Sequence, residues 1–267
     1  MFKQAVDRLP VFIILCLSAL DFALYFIIDN IWILVGYWLL MIVPKGVISA
    51  WNHHHQHCHV FKQKSLNRIL EFFYALHTGV TTNLWVLHHN LGHHRNFMDQ
   101  EVDESRWKHK DGSQMGMFEY TLIVTLTAYF RGYQVGKNYP KLQRQFVVFG
   151  LLTLVLLTGL IYFNPINALF LFVLPMIGSL LYTSWATYGH HAGLEDEDHF
   201  ASSHNITDKW FNLLTGNLGY HTAHHFKQGV HWSKLPELHE KIKNKIPQEC
   251  FRPSFFEGVG RFLPVKK

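Results

Sequence analysis

The sequence predicts an all-α integral-membrane protein with four transmembrane helices in two hairpins and a helical cap that carries clusters of histidine. Three observations lead to this prediction. The chain is 49% hydrophobic and only 16% charged, whereas soluble domains carry about 25% charged residues. Four apolar stretches are long enough to cross a bilayer, which takes about 20 residues per helix. Most of the 20 histidines are grouped beside such stretches.

The first two apolar stretches, residues 11–28 and 31–48, form the first predicted hairpin. Only Asp29 and Asn30 separate them, and so short a connection makes neighbouring helices run antiparallel. Pro44 lies inside the second stretch, where we expect a kink that neighbouring helices accommodate. Because the second stretch follows at once without a small-residue cleavage site, we do not interpret the first as a signal peptide.

The last two apolar stretches, residues 146–163 and 166–188, form the second predicted hairpin in the same way. Asn164 and Pro165 are the turn between them, and Pro175 is a second expected kink. Stretches of this length and hydropathy are rare in the cores of soluble proteins. We therefore predict that all four stretches cross the membrane.

The distribution of positive charge predicts the orientation in the membrane. Neither turn contains Lys or Arg; these residues lie in the N-terminal segment, at Lys45, within residues 62–144 and from Lys209 onward. Two hairpins bring those segments to one side of the bilayer, and Lys and Arg accumulate on the cytoplasmic side. We therefore expect a multi-pass protein with both termini and the histidine clusters in the cytoplasm.

The segments between and after the hairpins are expected to form the helical cap. Residues 69–87 and 117–133 are apolar stretches interrupted by polar residues, which is typical of helices at the membrane interface. In residues 234–245, leucine and isoleucine recur at spacings of three and four, which predicts a surface helix. Since no low-complexity linker divides the sequence, we interpret residues 1–267 as a single domain.

Cysteine content and net charge argue against several classes of protein. Cys16, Cys58 and Cys250 are far apart and form no CxxC pair, so neither a disulfide framework nor an iron–sulfur cluster is expected. The sequence has no glycine-rich dinucleotide-binding motif. Its net charge of +5 is modest, and the apolar stretches favour a membrane surface as its partner. We expect no nucleic-acid partner.

The first histidine cluster, residues 51–59, directly follows the second apolar stretch. His53 and His57 are four residues apart, so on a helix they lie on one face. His55 and His59 have the same spacing on a different face. The residues alone therefore leave both pairs open as metal ligands.

Two further clusters show related spacings. The second contains a pair four residues apart followed by an adjacent histidine: His89, His93 and His94. The third has spacings of three and four: His221, His224 and His225. A weaker pair directly follows the last apolar stretch: His190 and His191.

These clusters are suited to binding two metal ions. Neutral imidazole is a good ligand for iron, zinc, copper and nickel. The three clusters supply eight nitrogens, which is too many for one tetrahedral zinc ion with its four ligands. Two ions with positions left open for oxygen fit that number better. Glu-x-x-His pairs, which mark soluble di-iron bundles, are absent from the sequence.

The spacings HxxxH, HxxxHH and HxxHH, in this order and beside membrane spans, resemble the three histidine boxes of membrane fatty acid desaturases and alkane hydroxylases. The similarity covers roughly residues 45–235. It implies an oxidoreductase whose boxes ligate two iron ions and which uses O2 as co-substrate. The implied box ligands are His53, His57, His89, His93, His94, His221, His224 and His225.

The family usually adds one more histidine between the last span and the third box. In alkane hydroxylases it lies in the motif Asn-Tyr-x-Glu-His-Tyr-Gly-Leu, which residues 187–194 match at Tyr, His, Gly and Leu but not at Asn or Glu. The resemblance therefore implies that His191 is a ligand, with His190 as its rival.

Several residues are candidates for outer contacts or alternative ligands. Ligating imidazoles need an acceptor for their second nitrogen, and acidic residues follow both the second box and His191. An asparagine holds a metal-bound water in animal-type acyl-CoA desaturases, which makes Asn217 a candidate. The candidates are His55, His190, Asn217, Glu195 and Asp196, with Glu197 and Asp198 beside them, together with Asp99, Glu101 and Asp103 after the second box.

The resemblance implies a reaction on a fatty acyl chain. The third box runs on into Leu-Pro at residues 235–236, as in desaturases, so we expect O2-dependent desaturation of an acyl-lipid, acyl-CoA or acyl-ACP. Residues 92–95, Gly-His-His-Arg, instead resemble the alkane hydroxylases, and a monooxygenase of the same superfamily is the alternative. A metal transporter is the non-enzyme alternative. It would need ionisable residues along its spans, where only Asp21 and Lys45 occur.

The implied reaction also needs electrons, and no electron-transfer motif is visible in the sequence. We expect an external donor, such as ferredoxin, rubredoxin or a cytochrome b5-like protein, on the basic cytoplasmic face. Candidates for the contact are Arg131, Lys137, Lys141 and Arg144. A membrane lipid or another acyl carrier is the expected substrate partner. Beyond the metal ligands, no catalytic residue is identified.

Overall fold

A computed structural model describes residues 1–194 and 198–254. Its contacts divide the chain into two compact units. The first unit comprises residues 1–87 and 132–183, and the second comprises residues 88–131 and the described residues from 184 on. Glu195, Asp196 and Glu197, which we expected near the metal ligands, lie outside the described residues. The interpretation of the chain as a single domain stays a prediction.

The first hairpin of the first unit consists of α1 (Arg8–Ile27) and α2 (Ile31–His57). The side-chain oxygen of Asn30 accepts a hydrogen bond of 2.9 Å from the backbone N–H of Trp32, which caps the start of α2. Pro44 lies inside α2 without ending it. Helix α2 continues past the predicted end of the span at residue 48, because its polar last turns are buried and stay helical.

The second hairpin consists of α5 (Pro140–Phe163), a short α6 (Pro165–Ala168), a π-helical turn (Leu169–Val173) and α7 (Leu174–His191). Proline opens both α5 and α6, where its missing N–H costs nothing. π-helical turns inside helices leave backbone groups free for other partners. Here the carbonyl oxygen of Leu171 accepts a hydrogen bond of 2.9 Å from the Lys45 ammonium group.

Four helical segments in the described part of the chain are long and apolar enough to span a membrane: Ala5–Ile27, Ile31–His57, Pro140–Phe163 and Pro165–His191. Large apolar side chains on them are 69–81% exposed, which suits contact with lipid: Phe26, Trp32, Leu40, Val155 and Phe163. The predicted fold class, an all-α membrane protein with four spans and a histidine-rich helical region, is confirmed.

Helix α3 (Lys64–Thr78) packs against the first hairpin. The shared core contains Val11, Ile14, Ile48, Leu70 and Tyr74. The predicted helix over residues 69–87 was wrong in its end. Gly79 follows Thr78 with a φ of 68°, a left-handed conformation that terminates helices. A Cβ at Gly79 would also lie 2.8 Å from the Met176 carbonyl oxygen, so glycine is the residue that fits this turn.

The second unit is built from short elements. Helix α4 (Met117–Gly136) belongs to it as far as residue 131. It is followed by α8 (Lys209–Thr215), α9 (His221–Phe226) and α10 (Leu235–Ile242). Strands β1 (Asn205–Ile206) and β2 (Phe251–Arg252) pair in parallel. Helix α10 confirms the predicted surface helix in shorter form, since both of its ends continue as 3-10 turns.

Candidate metal centre

The second histidine cluster lies on a tightly folded segment of the second unit. The backbone N–H groups of His93 and His94 both donate to the carbonyl oxygen of His89, over 3.0 and 2.8 Å. A Cβ at Gly92 would lie 2.5 Å from the His88 carbonyl oxygen, so only glycine fits this fold. The segment places His94 Nε2 3.0 Å from His89 Nε2.

The third histidine cluster occupies α9, which is held in place by polar contacts of Thr222. The side chain of Asn205 on β1 donates to Thr222 Oγ1 over 2.7 Å and accepts from the Thr222 backbone N–H over 3.1 Å. Thr222 Oγ1 also lies 2.9 Å from Ser203 Oγ. Because Thr222 and Ala223 are fully buried, the three histidines of α9 are held in fixed positions.

The histidines of the second unit form two groups of three. The ring nitrogens within each group lie within 4.8 Å of one another. The first group is His89, His94 and His224, and the second is His93, His191 and His225. All six side chains are only 0–8% exposed. The groups are adjacent, since the rings of His94 and His225 stack with their centroids 4.1 Å apart.

His221 and the pair at the end of α7 lie beside the second group. His191 Nε2 is 3.3 Å from His93 Nε2 and 3.1 Å from His221 Nε2. His190 instead stacks on His221 with a centroid distance of 4.0 Å, and its Nδ1 donates to the His204 carbonyl oxygen. Of the two rivals, His191 is therefore the one gathered with His93 and His225.

The first histidine cluster belongs to the first unit, where two pairs lie on different faces as expected. His53 and His57 have their ring centroids 4.7 Å apart, and His53 is buried against Trp85. His55 and His59 lie beside Glu71 instead.

Of the described acidic residues that follow the second box, Asp103 contacts a predicted box ligand. Its two carboxylate oxygens lie 2.9 and 3.0 Å from His93 Nδ1. Because Nδ1–H donates to this carboxylate, the lone pair of His93 lies on Nε2. The Ser202 carbonyl oxygen accepts a hydrogen bond from His191 Nδ1–H in the same way, over 3.1 Å. Sequence reasoning missed Ser202, since any residue type supplies a backbone carbonyl.

Asn217 and Arg131 make contacts other than the ones expected from the sequence. The side-chain amide of Asn217 donates to the carbonyl oxygen of Trp232 over 3.3 Å. Arg131, expected to contact an electron donor, is only 8% exposed and donates to the Glu104 carbonyl oxygen. The expectation that Arg131 contacts an electron donor was wrong, because its side chain is packed inside the second unit. Lys137, Lys141 and Arg144 are exposed.

A protein-family comparison bears directly on this histidine arrangement. The family model for fatty acid desaturases matches residues 30–255. The chain belongs to the fatty acid desaturase family. No curated protein matches the sequence. Family membership supports a membrane oxidoreductase that acts on fatty acyl chains.

The residues of this family member fit metal ions bound by imidazole. Within the described part of the chain, both ring nitrogens of His225 are buried without a hydrogen-bond partner, which is costly unless another partner binds them. Nitrogens that bind one ion at right angles over about 2.1 Å lie about 3.0 Å apart. The nitrogen–nitrogen distances of 3.0–3.3 Å for His89–His94 and His93–His191 match that spacing.

Electrostatics favours the ligand form of these side chains. Burial, and then the neighbouring histidines, hold the pKa of His225 well below its usual value. A neutral imidazole keeps the lone pair that a metal requires. His225 is therefore in the protonation state that binds metal at neutral pH.

Proposed function

We propose that this chain is an O2-dependent di-iron desaturase that introduces a double bond into a fatty acyl chain carried as an acyl-lipid, acyl-CoA or acyl-ACP. The observation that supports it most is the pair of adjacent groups of three buried histidines in the second unit. Two groups at this spacing suit two ions, and a site rich in neutral nitrogen with no thiolate among its groups suits iron.

The proposed iron ligands are those of the three boxes and the histidine at the end of α7. Iron held by these residues would activate O2, which is the oxidant and is reduced to water with electrons from the donor, for the removal of two hydrogens from unactivated C–H bonds. The proposed ligands are His53, His57, His89, His93, His94, His191, His221, His224 and His225.

The chain's own groups orient these ligands and keep them dry. Asp103 and the Ser202 carbonyl each hold an Nδ1–H, so that His93 and His191 present Nε2 to the ion. His93 is 0% exposed, which keeps bulk water away from the reacting groups. Fixed tautomers and a dry site favour hydrogen removal over side reactions with water.

Electrons must come from a separate protein under this proposal. Cys16, Cys58 and Cys250 form no disulfide, and they lack the closely spaced cysteine pattern of an iron–sulfur site. The donor is a ferredoxin, rubredoxin or cytochrome b5-like protein that docks on the cytoplasmic side. The exposed Lys137, Lys141 and the neighbouring Arg144 are its proposed contacts.

Two alternatives are weighed against specific observations. A hydroxylase would use the same ligands, and residues 92–95 resemble that branch of the superfamily. A metal transporter is disfavoured, because Lys45 Nζ and Asp21 Oδ2 pair at 2.8 Å and are only 2% and 1% exposed. Such a closed pair does not line an open path for ions.

Mass spectrometry of total lipids from expressing cells tests the proposal. We expect an acyl species to lose two hydrogens in cells with the wild type but not with His224→Ala. His109→Ala, which changes a half-exposed histidine, is the matched control and keeps the activity. Gain of one oxygen would make the protein a hydroxylase. If the lipids stay unchanged although the protein is loaded with iron and a reductant is added, both the desaturase and the hydroxylase activity are contradicted.

A further inference from the structure

Glu71, His55 and His59 form a third group of possible metal ligands, inside the first unit. One ligand atom from each lies within 4.8 Å of the others. His55 and Glu71 are fully buried, and the side chain of His59 is 38% exposed. The group brings together the end of α2, the segment after it and α3. Its three residues are different from the six histidines gathered in the second unit.

The distances in this group are those of ligands and not those of hydrogen bonds. Glu71 Oε1 lies 3.5 Å from His55 Nε2 and 3.6 Å from His59 Nε2. Those separations are too long for good hydrogen bonds. Two ligand atoms that bind a tetrahedral ion over about 2.1 Å lie about 3.4 Å apart. Both distances to Glu71 therefore fit ligands that share one ion, and the two imidazoles each offer a nitrogen within 4.8 Å of the other.

The buried polar atoms of this group lack other partners. Among the described residues, His55 Nε2 and Glu71 Oε1 have no hydrogen-bond partner. Burying such atoms unpaired costs free energy. An ion bound between them would offset that cost, and the partly exposed His59 gives it a route from solvent.

Arg68 leaves one carboxylate oxygen of Glu71 for an ion. Its guanidinium donates to Glu71 Oε2 over 2.5 Å and is itself held by Asn83 and Gln145. Ligating carboxylates are commonly oriented by an outer hydrogen bond of this kind.

We propose that His55, His59 and Glu71 bind a divalent transition-metal ion of the zinc type, at a site separate from the proposed di-iron centre. Two imidazoles and one carboxylate are a common donor set for such ions, with one position left for water. The ion ties the end of α2 to α3. Since α2 carries His53 and His57, the site stabilises the helix on which the first box lies.

Metal analysis of the full-length, iron-loaded protein after dialysis against zinc chloride tests this site. We expect about one zinc per chain in the wild type and none above background in His59→Ala, with the iron content unchanged. His109→Ala is the matched control, because His109 is also a half-exposed histidine beside a carboxylate, 3.2 Å from Glu119. It should keep the zinc.

Two further variants keep the result interpretable. Glu71→Gln should also lose the zinc, and zinc should raise the melting temperature of the wild type but not of His59→Ala. His224→Ala should lose iron and keep the zinc. Iron content therefore tests the di-iron proposal, and zinc content tests the site proposed here. Equal zinc content in the wild type, His59→Ala and Glu71→Gln, or no zinc in the wild type, would overturn the proposed site.

Discussion

Asp103 and Asp99 lie in the same loop after the second box but differ in what they contact. Asp103 is 1% exposed and holds His93 Nδ1, whereas Asp99 is exposed and accepts from the Glu101 backbone N–H. We expect Asp103→Asn to lower iron affinity or lipid desaturation by about 10–100-fold, because the amide no longer fixes the tautomer of His93.

The matched control for this prediction is Asp99→Asn, which removes the same charge from the same loop. Iron per chain and the fraction of unsaturated lipid are measured for both variants. Equal iron content and equal activity in the two variants would show that the contact between Asp103 and His93 does not support the metal centre.

Asp21 and Lys45 form a closed polar network among the membrane-spanning helices. Asp21 accepts hydrogen bonds from Lys45 and, over 2.7 Å, from the Tyr37 hydroxyl. Lys45→Met leaves the carboxylate buried without its counter-ion, which should cost about 3–5 kcal/mol of stability. The double variant Asp21→Leu/Lys45→Met should recover most of that loss in thermal unfolding in detergent. A double variant no more stable than Lys45→Met would contradict this account.

Individual site residues were predictable to different degrees. Periodic spacing identified the histidines, since metal sites on helices need ligands three or four residues apart. It could not choose between His53 with His57 and His55 with His59, because both pairs have that spacing. The partners Glu71 and Ser202 depend on tertiary folding, which brings distant segments together and leaves no local pattern.

At the scale of elements, hydropathy predicted the spans well and the helix ends poorly. Apolar counting stopped the second span at residue 48, although α2 continues to His57, because polar residues that are buried stay helical too. Apolar counting also placed the end of the helix over residues 69–87 beyond Thr78, because hydropathy does not detect the left-handed turn at Gly79. The π-helical turn Val86–Leu91 has no recognised sequence signal.

Gly92 determines how the second box folds as an element. A Cβ there would meet the His88 carbonyl oxygen at 2.5 Å and Glu104 Cγ at 2.6 Å. In Gly92→Ala the backbone therefore has to shift to make room for the Cβ. We expect at least about a tenfold loss of activity, together with loss of bound iron. Gly116→Ala is the control in the same unit, where a Cβ meets no described atom within 4 Å. Normal iron content in Gly92→Ala would contradict the requirement for glycine.

At the scale of the whole molecule, the apolar helix surfaces and the basic segments divide the chain between lipid and water. Exposed apolar side chains cover the four spans, so lipid is the solvent for that surface. Lys137 follows the last turn of α4, and Lys141 and Arg144 lie in the first turns of α5. This positive group is exposed at the start of the second hairpin, where an acidic partner protein can reach it.

Charge reversal tests whether this group contacts the electron donor. The triple variant Lys137→Glu/Lys141→Glu/Arg144→Glu should slow donor-supported desaturation by about tenfold or more at low salt, because charge complementarity raises association rates. The difference should shrink as salt rises. Turnover driven by a small chemical reductant should stay unchanged. Lys62→Glu/Lys64→Glu, which reverses exposed lysines elsewhere in the first unit, is the control. Equal slowing in both variants would assign the effect to overall charge, and no slowing would remove these residues from the docking surface.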